Sequence, residues 1–201
     1  NAIKGHEYEA VYLVTLFTGM REGEVLGLTW DCVDFKSGAI TIKQQLQKVR
    51  GTGGEYILAP TKNGKSRIVA PAKYVMQVLT KQRKTQNEQR LKAGPAWSNP
   101  LDLVFTNSLG KNLCAQTVYL HFKKLAAEAG VPDARFHDLR HSYAVAALRS
   151  GDDIKTVQEN LGHHTAAFTL DTYAHVTDQM RKESAKRMDS FIEGIQAAKK
   201  A

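Results

Sequence analysis

Apolar residues recur along this chain in two rhythms, and the change from one to the other separates helices from a small sheet. From Glu7 the run EYEAVYLVTLFTGM sets Tyr8, Val11, Tyr12 and Leu16 at helical spacing, and Gly19 ends it. Arg21-Glu22-Gly23-Glu24 follows, then a second apolar stretch, Val25-Leu26-Gly27-Leu28. Asp34-Phe35-Lys36-Ser37-Gly38 reads as a turn, after which Ala39-Ile40-Thr41-Ile42 opens a strand running to about Val49. Tyr56 to Ala59 and Ser66 to Val69 read as two further strands, with Asn63-Gly64 as the hairpin signal between them. The pattern predicts a three-stranded antiparallel sheet with Lys62 and Lys65 at its tip.

The rest of the chain keeps the helical period. Pro71 opens a helix through Val75, Val78 and Leu79, whose far half from Lys81 to Lys92 is almost wholly polar. Ala93-Gly94-Pro95 through Asn99-Pro100 is a loop, Leu103-Val104-Phe105 a brief strand, and Gln116 to Gly130 an amphipathic helix. Helices are predicted over His137 to Ser150, over Asp152 to Asn160 with Asp152 or Asp153 as N-cap, around Thr169 to Val176, and from Asp178 onward. The expected fold is α+β, mostly α-helical with the small antiparallel sheet, in a single domain over residues 1–201.

Composition narrows the partners. With 42% apolar residues the chain can bury a full core. No run of 18 apolar residues exists, so no helix is expected to span a membrane. The sequence begins Asn1-Ala2-Ile3 without an initiator Met, and is expected to be a piece of something longer. Cys32 and Cys114 lack metal-ligand spacing and read as reduced thiols of a cytosolic protein. The net charge is +8, and residues 61–100 carry the whole surplus, nine Lys/Arg against one Asp/Glu. Such a stripe suits a polyanion; taken alone, a charge run is more often a solvated helix face.

Candidate chemistry concentrates between Phe136 and Tyr173, which hold His137, His141, His163 and His164. Three residues apart on a helix, His137 and Arg140 share a face and can converge on one phosphate. The alternative pairs Arg140 with Asp138 or Asp133 and buries His137 as a hydrogen-bonded core residue. His137 and His141 are also spaced as a helical zinc pair, to which His163 or His164 would add a ligand. Asp138, however, stands where that motif needs a glutamate. Gly162 allows a left-handed turn before His163. Tyr173 is a packed aromatic, or a nucleophile if cations stabilise its phenolate.

Read together, Thr18-Gly19-Met20-Arg21-Glu22-Gly23-Glu24, Thr61-Lys62 with Ser66-Arg67, His137-Asp138-Leu139-Arg140-His141-Ser142, Leu161-Gly162-His163 and Leu170-Asp171-Thr172-Tyr173 resemble the tyrosine recombinases, the integrases of phages and conjugative transposons. The resemblance implies that family's catalytic-domain fold, the C-terminal part of a longer integrase without its N-terminal DNA-binding domains. It implies a catalytic set of Arg21, Lys62, His137, Arg140, His163 and Tyr173. Tyr173 would attack a DNA phosphate, Arg21 and Arg140 clamp its oxygens, Lys62 protonate the leaving 5′-oxygen, His137 assist proton transfer and His163 donate to a phosphate oxygen. Glu24 matches a supporting position. No metal and no cofactor is implied. Expected partners are double-stranded DNA, further copies of the chain in a tetramer joined through the C-terminal helix, and accessory DNA-bending or excision proteins. No membrane is expected, and the location implied is the bacterial cytoplasm, at the nucleoid. A type IB topoisomerase, a metal-dependent hydrolase using the histidine cluster and a non-catalytic DNA-binding module are the competing readings.

Overall fold

The computed structural model describes residues 2–49, 51, 54–162, 184–193 and 195. The chain divides into two compact units. The first holds Asn1–Tyr143 with Asn160–Gly162; the second holds Ala144–Glu159 and, of the later residues described, 184–193 and 195.

In the first unit, α1 (Glu9–Thr18) buries Val11, Tyr12, Val14, Thr15 and Thr18. Tyr12 is the pivot of this core: its ring meets those of Phe122 and Phe136 edge-on, and its hydroxyl donates to Val118 O at 3.0 Å. That hydrogen bond lets a phenol be buried without an orphaned polar group. Gly19 ends α1 at φ +67, its N–H donating to Thr15 O, and α2 (Glu22–Leu26) starts three residues later. A Cβ on Gly19 would lie 2.5 Å from Tyr143 Cδ1 and 2.6 Å from Leu161 Cδ2, so the residue answers to both space and dihedral.

The sheet departs from the expected pairing. β1 (Val33–Asp34), β2 (Ala39–Ile42) and β5 (Arg67–Val69) form one antiparallel sheet, while β3 (Gln44–Lys48) and β4 (Tyr56–Pro60) form another. β4 and β5 therefore do not pair with each other; each pairs with a different half of the 39–48 segment. Gln44 faces Pro60 and Ile42 faces Arg67, so residues 61–66 loop out opposite the single residue Lys43. Asn63-Gly64 does turn the chain, with Gly64 at φ +66 and its N–H on Thr61 O. It turns within a loop rather than between paired strands, and Lys62 sits in that loop and not at the tip of a three-stranded sheet.

α3 (Lys73–Ala93) buries Val75, Leu79 and Gln86, and α4 (Ala115–Glu128) buries Val118, Phe122, Leu125 and Ala126. The expected strand at 103–105 is only a bridge, Leu103 to Thr29. Its backbone is otherwise engaged, because Gln86 Nε2 donates to both Leu103 O and Val104 O. α5 (Phe136–Ser150) and α6 (Ile154–Leu161) fall as expected, with Asp153 accepting from the Thr156 N–H as the cap of α6. Residues 184–193 are helical; the helix expected around Thr169–Val176 lies outside the described residues.

Candidate active site

Arg21 occupies the N-cap of α2 in extended conformation. Its backbone N–H donates to Glu24 Oε2 at 2.9 Å and its Nη1 to Oε1 at 2.8 Å. Glu24 is fully buried and carries a second guanidinium: Arg67 donates from Nη1 to Oε1 at 3.0 Å and from Nη2 to Oε2 at 2.6 Å. Burial alone would push the Glu24 carboxyl up; the hydrogen bonds and charges of Arg67 and Arg21 outweigh it and hold the group below its ordinary range. A carboxylate shared by two arginines leaves a net positive charge at this spot.

Arg140 ties two chain ends to one place. Only 3% exposed, it donates from Nη1 to Gly19 O and from Nη2 to Leu161 O, both at 2.6 Å. Gly19 precedes Arg21 by two residues, and Leu161 precedes His163 by two. Asp138, one of the acids weighed as an Arg140 partner, is engaged by Arg135 through the backbone N–H at 2.8 Å and a 3.4 Å ion pair.

His137 is exposed one turn before Arg140 on α5. Desolvation, then the charges of His141, Arg140 and Arg21, hold its pKa below the ordinary histidine value, so it is a base rather than a cation near neutral pH. The His137 and His141 rings meet edge-on at 4.8 Å.

Lys62 stands exposed on the looped-out segment. Thr61, buried, closes the loop by donating to Lys65 O at 2.7 Å. The loop also reaches across the first unit: Asn63 Nδ2 donates to Gly162 O at 3.0 Å, and Arg67 Nε donates to Asn160 O at 2.7 Å. Gly162 is left-handed, as expected, at φ +64.

Of the six expected site residues, Arg21, Lys62, His137 and Arg140 lie in the first unit. His163 and Tyr173 lie outside the described residues. Two residues joining the parts, Asn63 and Arg67, were not given roles by sequence. Arg67 stood in a motif string without a role, and the alternation around it gave none: apolar Ile68 is 70% exposed, while Arg67 shares a strand face with buried Val69. Its inward-facing charge is met by the buried Glu24 carboxylate.

Among the described residues, one group has metal-ligand geometry: His6, Glu7 and His121. The Tyr8 N–H donates to His6 Nδ1, which leaves the proton on Nε2, and Nε2 then donates to His121 Nδ1 at 3.1 Å. That proton occupies the lone pair a metal would need, and the group belongs to neither His137 nor His141.

Arg21 and Arg67 on one buried carboxylate, and buried Arg140 on two backbone carbonyls, thus gather within the first unit of an α+β fold. The chain belongs to the phage integrase family, whose profile matches residues 2–180. It is 32% identical over 202 aligned residues to a XerC-like tyrosine recombinase of Caldanaerobacter subterraneus subsp. tengcongensis, covering 95% of this chain and 51% of that one. The ICEBs1 integrase of Bacillus subtilis is 25% identical, over 92% of this chain and 49% of its own. In fold the chain resembles the Tn1549 transposon integrase solved with transposon right end DNA, at TM-score 0.72 and 21% identity, covering 90% of this chain and 59% of that one. The chain spans about half the length of the curated relatives it matches.

Proposed function

We propose that this chain is the catalytic domain of a longer integrase, a site-specific recombinase that cuts and rejoins double-stranded DNA and so integrates or excises a mobile element. The observation that carries the reading is Arg140, whose buried guanidinium joins the turn before Arg21 to the turn before His163. The Tyr173 hydroxyl attacks phosphorus as its proton passes to His137. The bond from phosphorus to the 5′-oxygen breaks, a 3′-phosphotyrosyl ester forms, and Lys62 delivers a proton to the departing 5′-hydroxyl. Arg21, Arg140 and His163 stabilise the charge on the non-bridging oxygens. The ester conserves the bond energy, and a 5′-hydroxyl from another strand reverses the step. The neutral form of His137 favoured by its surroundings supports its part as base. Exposed Met188, Phe191, Ile192 and Ile195 near the C-terminus support self-association on DNA into a tetramer, with accessory DNA-bending proteins acting on the longer enzyme.

The test is covalent trapping on a nicked suicide duplex. Wild type is expected to give a protein–DNA adduct that survives denaturation, and Tyr173→Phe is expected to give none while still binding DNA. An adduct from Tyr173→Phe, or none from wild type under saturating DNA, overturns the reading.

A further inference from the structure

The loop that carries Lys62 could have projected freely, since six residues oppose only one across the strand break. Instead it is held at two points to the end of α6. At its crest Asn63 Nδ2 donates to Gly162 O. At its base Arg67 crosses the left-handed turn so closely that a Cβ on Gly162 would lie 3.2 Å from both Arg67 Cδ and Nη1. The same guanidinium donates to Asn160 O and fills both oxygens of Glu24, which in turn fixes Arg21. Asn160 closes the circuit by donating to the Tyr143 hydroxyl at 3.0 Å.

We infer that Asn63 and Arg67 are positioning residues, a two-point latch that sets the Lys62 loop against the Asn160–Gly162 turn. This rests on the recombinase reading, in which Lys62 is the general acid and His163, next after the turn, a phosphate ligand. The two points differ in kind. Asn63 is exposed and its hydrogen bond serves only the loop, so its loss lets Lys62 drift while the rest of the unit stays in place. Arg67 is largely buried and serves the loop base, the turn and, through Glu24, Arg21 at once. A three-way junction of that kind couples proton delivery to phosphate binding.

The two points are separable with a leaving group that needs no proton. On an ordinary suicide duplex, Asn63→Ala is expected to form adduct about tenfold more slowly, the cost of about one hydrogen bond's worth of alignment. On a duplex with sulfur at the scissile 5′-bridging position its rate is expected to fall less than twofold, because a thiolate leaves unprotonated. Asn63→Gln, which keeps the donor, is expected to recover part of the loss. Arg67→Lys is expected to slow both duplexes alike, since it disturbs the phosphate side as well. Hydrogen exchange of residues 61–66 in the free protein is expected to rise in Asn63→Ala. Equal losses on the two duplexes for Asn63→Ala, or unchanged exchange in the loop, overturn the latch. A wild type that gives no adduct on either duplex overturns the recombinase reading instead, and the exchange measurement still judges the latch.

Discussion

Glu22 and Glu24 lie two residues apart on one short helix and are pushed in opposite directions. Glu24 has two guanidiniums; Glu22 has an Oε1 that is buried with no hydrogen-bond partner among the described residues. Burial raises the Glu22 carboxyl from 4.5 to about 7. The signs follow from which state holds the proton. Between pH 4.5 and 7 the folded chain keeps a proton on Glu22 that the unfolded chain has lost, so stability falls as pH rises through that window. Glu24, held low, adds stability above its unfolded value that is lost as pH falls through its folded value. Glu22→Gln is therefore expected to flatten the pH 4.5–7 slope and to be more stable than wild type at pH 8 by roughly 1–3 kcal/mol, after allowance for solvent screening. Urea denaturation at pH 5 and pH 8 reads this directly; parallel pH dependences in the two proteins would show that Glu22 does not ionise in this range.

Among the elements, the C-cap of α2 comes close to the β3 backbone at Gly27. A Cβ there would meet Leu46 N at 2.4 Å and Gln45 C at 2.7 Å, and backbone cannot step aside as a flexible side chain can. Its φ of −95 suits any residue, so the requirement is for space alone. Gly27→Ala is expected to cost about 2 kcal/mol or more by forcing helix and strand apart, seen as a lower denaturation midpoint. A midpoint equal to wild type would mean that the two elements part freely. At this scale the sequence was an uneven guide. α1, α4, α5 and α6 were legible because each buries one stripe at helical spacing, and some boundaries are marked, Gly19 ending α1 and Asp153 capping the start of α6. β2 with β3, β4 and β5 were legible as strands, whereas β1 was not, the strand expected at 103–105 is a bridge, and the partners of the strands could not be read. Alternation reports which face is buried and says nothing about which strand lies alongside. Asn63-Gly64 looks the same in a hairpin and in a loop between two sheets. The positions of Arg21, Lys62, His137 and Arg140 could be read as motifs, whereas the links that Arg140, Asn63 and Arg67 make to Gly19, Asn160, Leu161 and Gly162 end on backbone carbonyls, which no side-chain pattern encodes.

Taken as a whole, the molecule divides the basic stripe of residues 61–100 between two places. Lys62, Lys65 and Arg67 belong to the loop and its base, while Lys73, Lys81, Arg83, Lys84, Arg90 and Lys92 lie on α3. Arg83 is already occupied, lying over the Trp30 and Phe35 rings at 5.4 and 5.7 Å. The two groups are expected to behave differently toward DNA. Each cation that meets a phosphate adds about 0.9 to the salt dependence of binding, as log Kd against log salt. Lys62→Gln with Lys65→Gln is expected to lower that slope by roughly 2, and Lys84→Gln with Lys92→Gln to leave it unchanged. Fluorescence anisotropy across a salt series distinguishes them; equal drops would place α3 on the DNA as well.

The loop between β4 and β5 has one more consequence. Because residues 61–66 leave one sheet and rejoin the chain in another, their number is uncoupled from the pairing on either side. A residue added to β4 or β5 would turn every later side chain of that strand to the wrong face. A residue added among 61–66 leaves both strand registers intact and changes how far Lys62 extends and how Asn63 meets the Gly162 carbonyl. Reach at this point is thus a quantity that descent or design can adjust in single-residue steps, with the frame on both sides left standing.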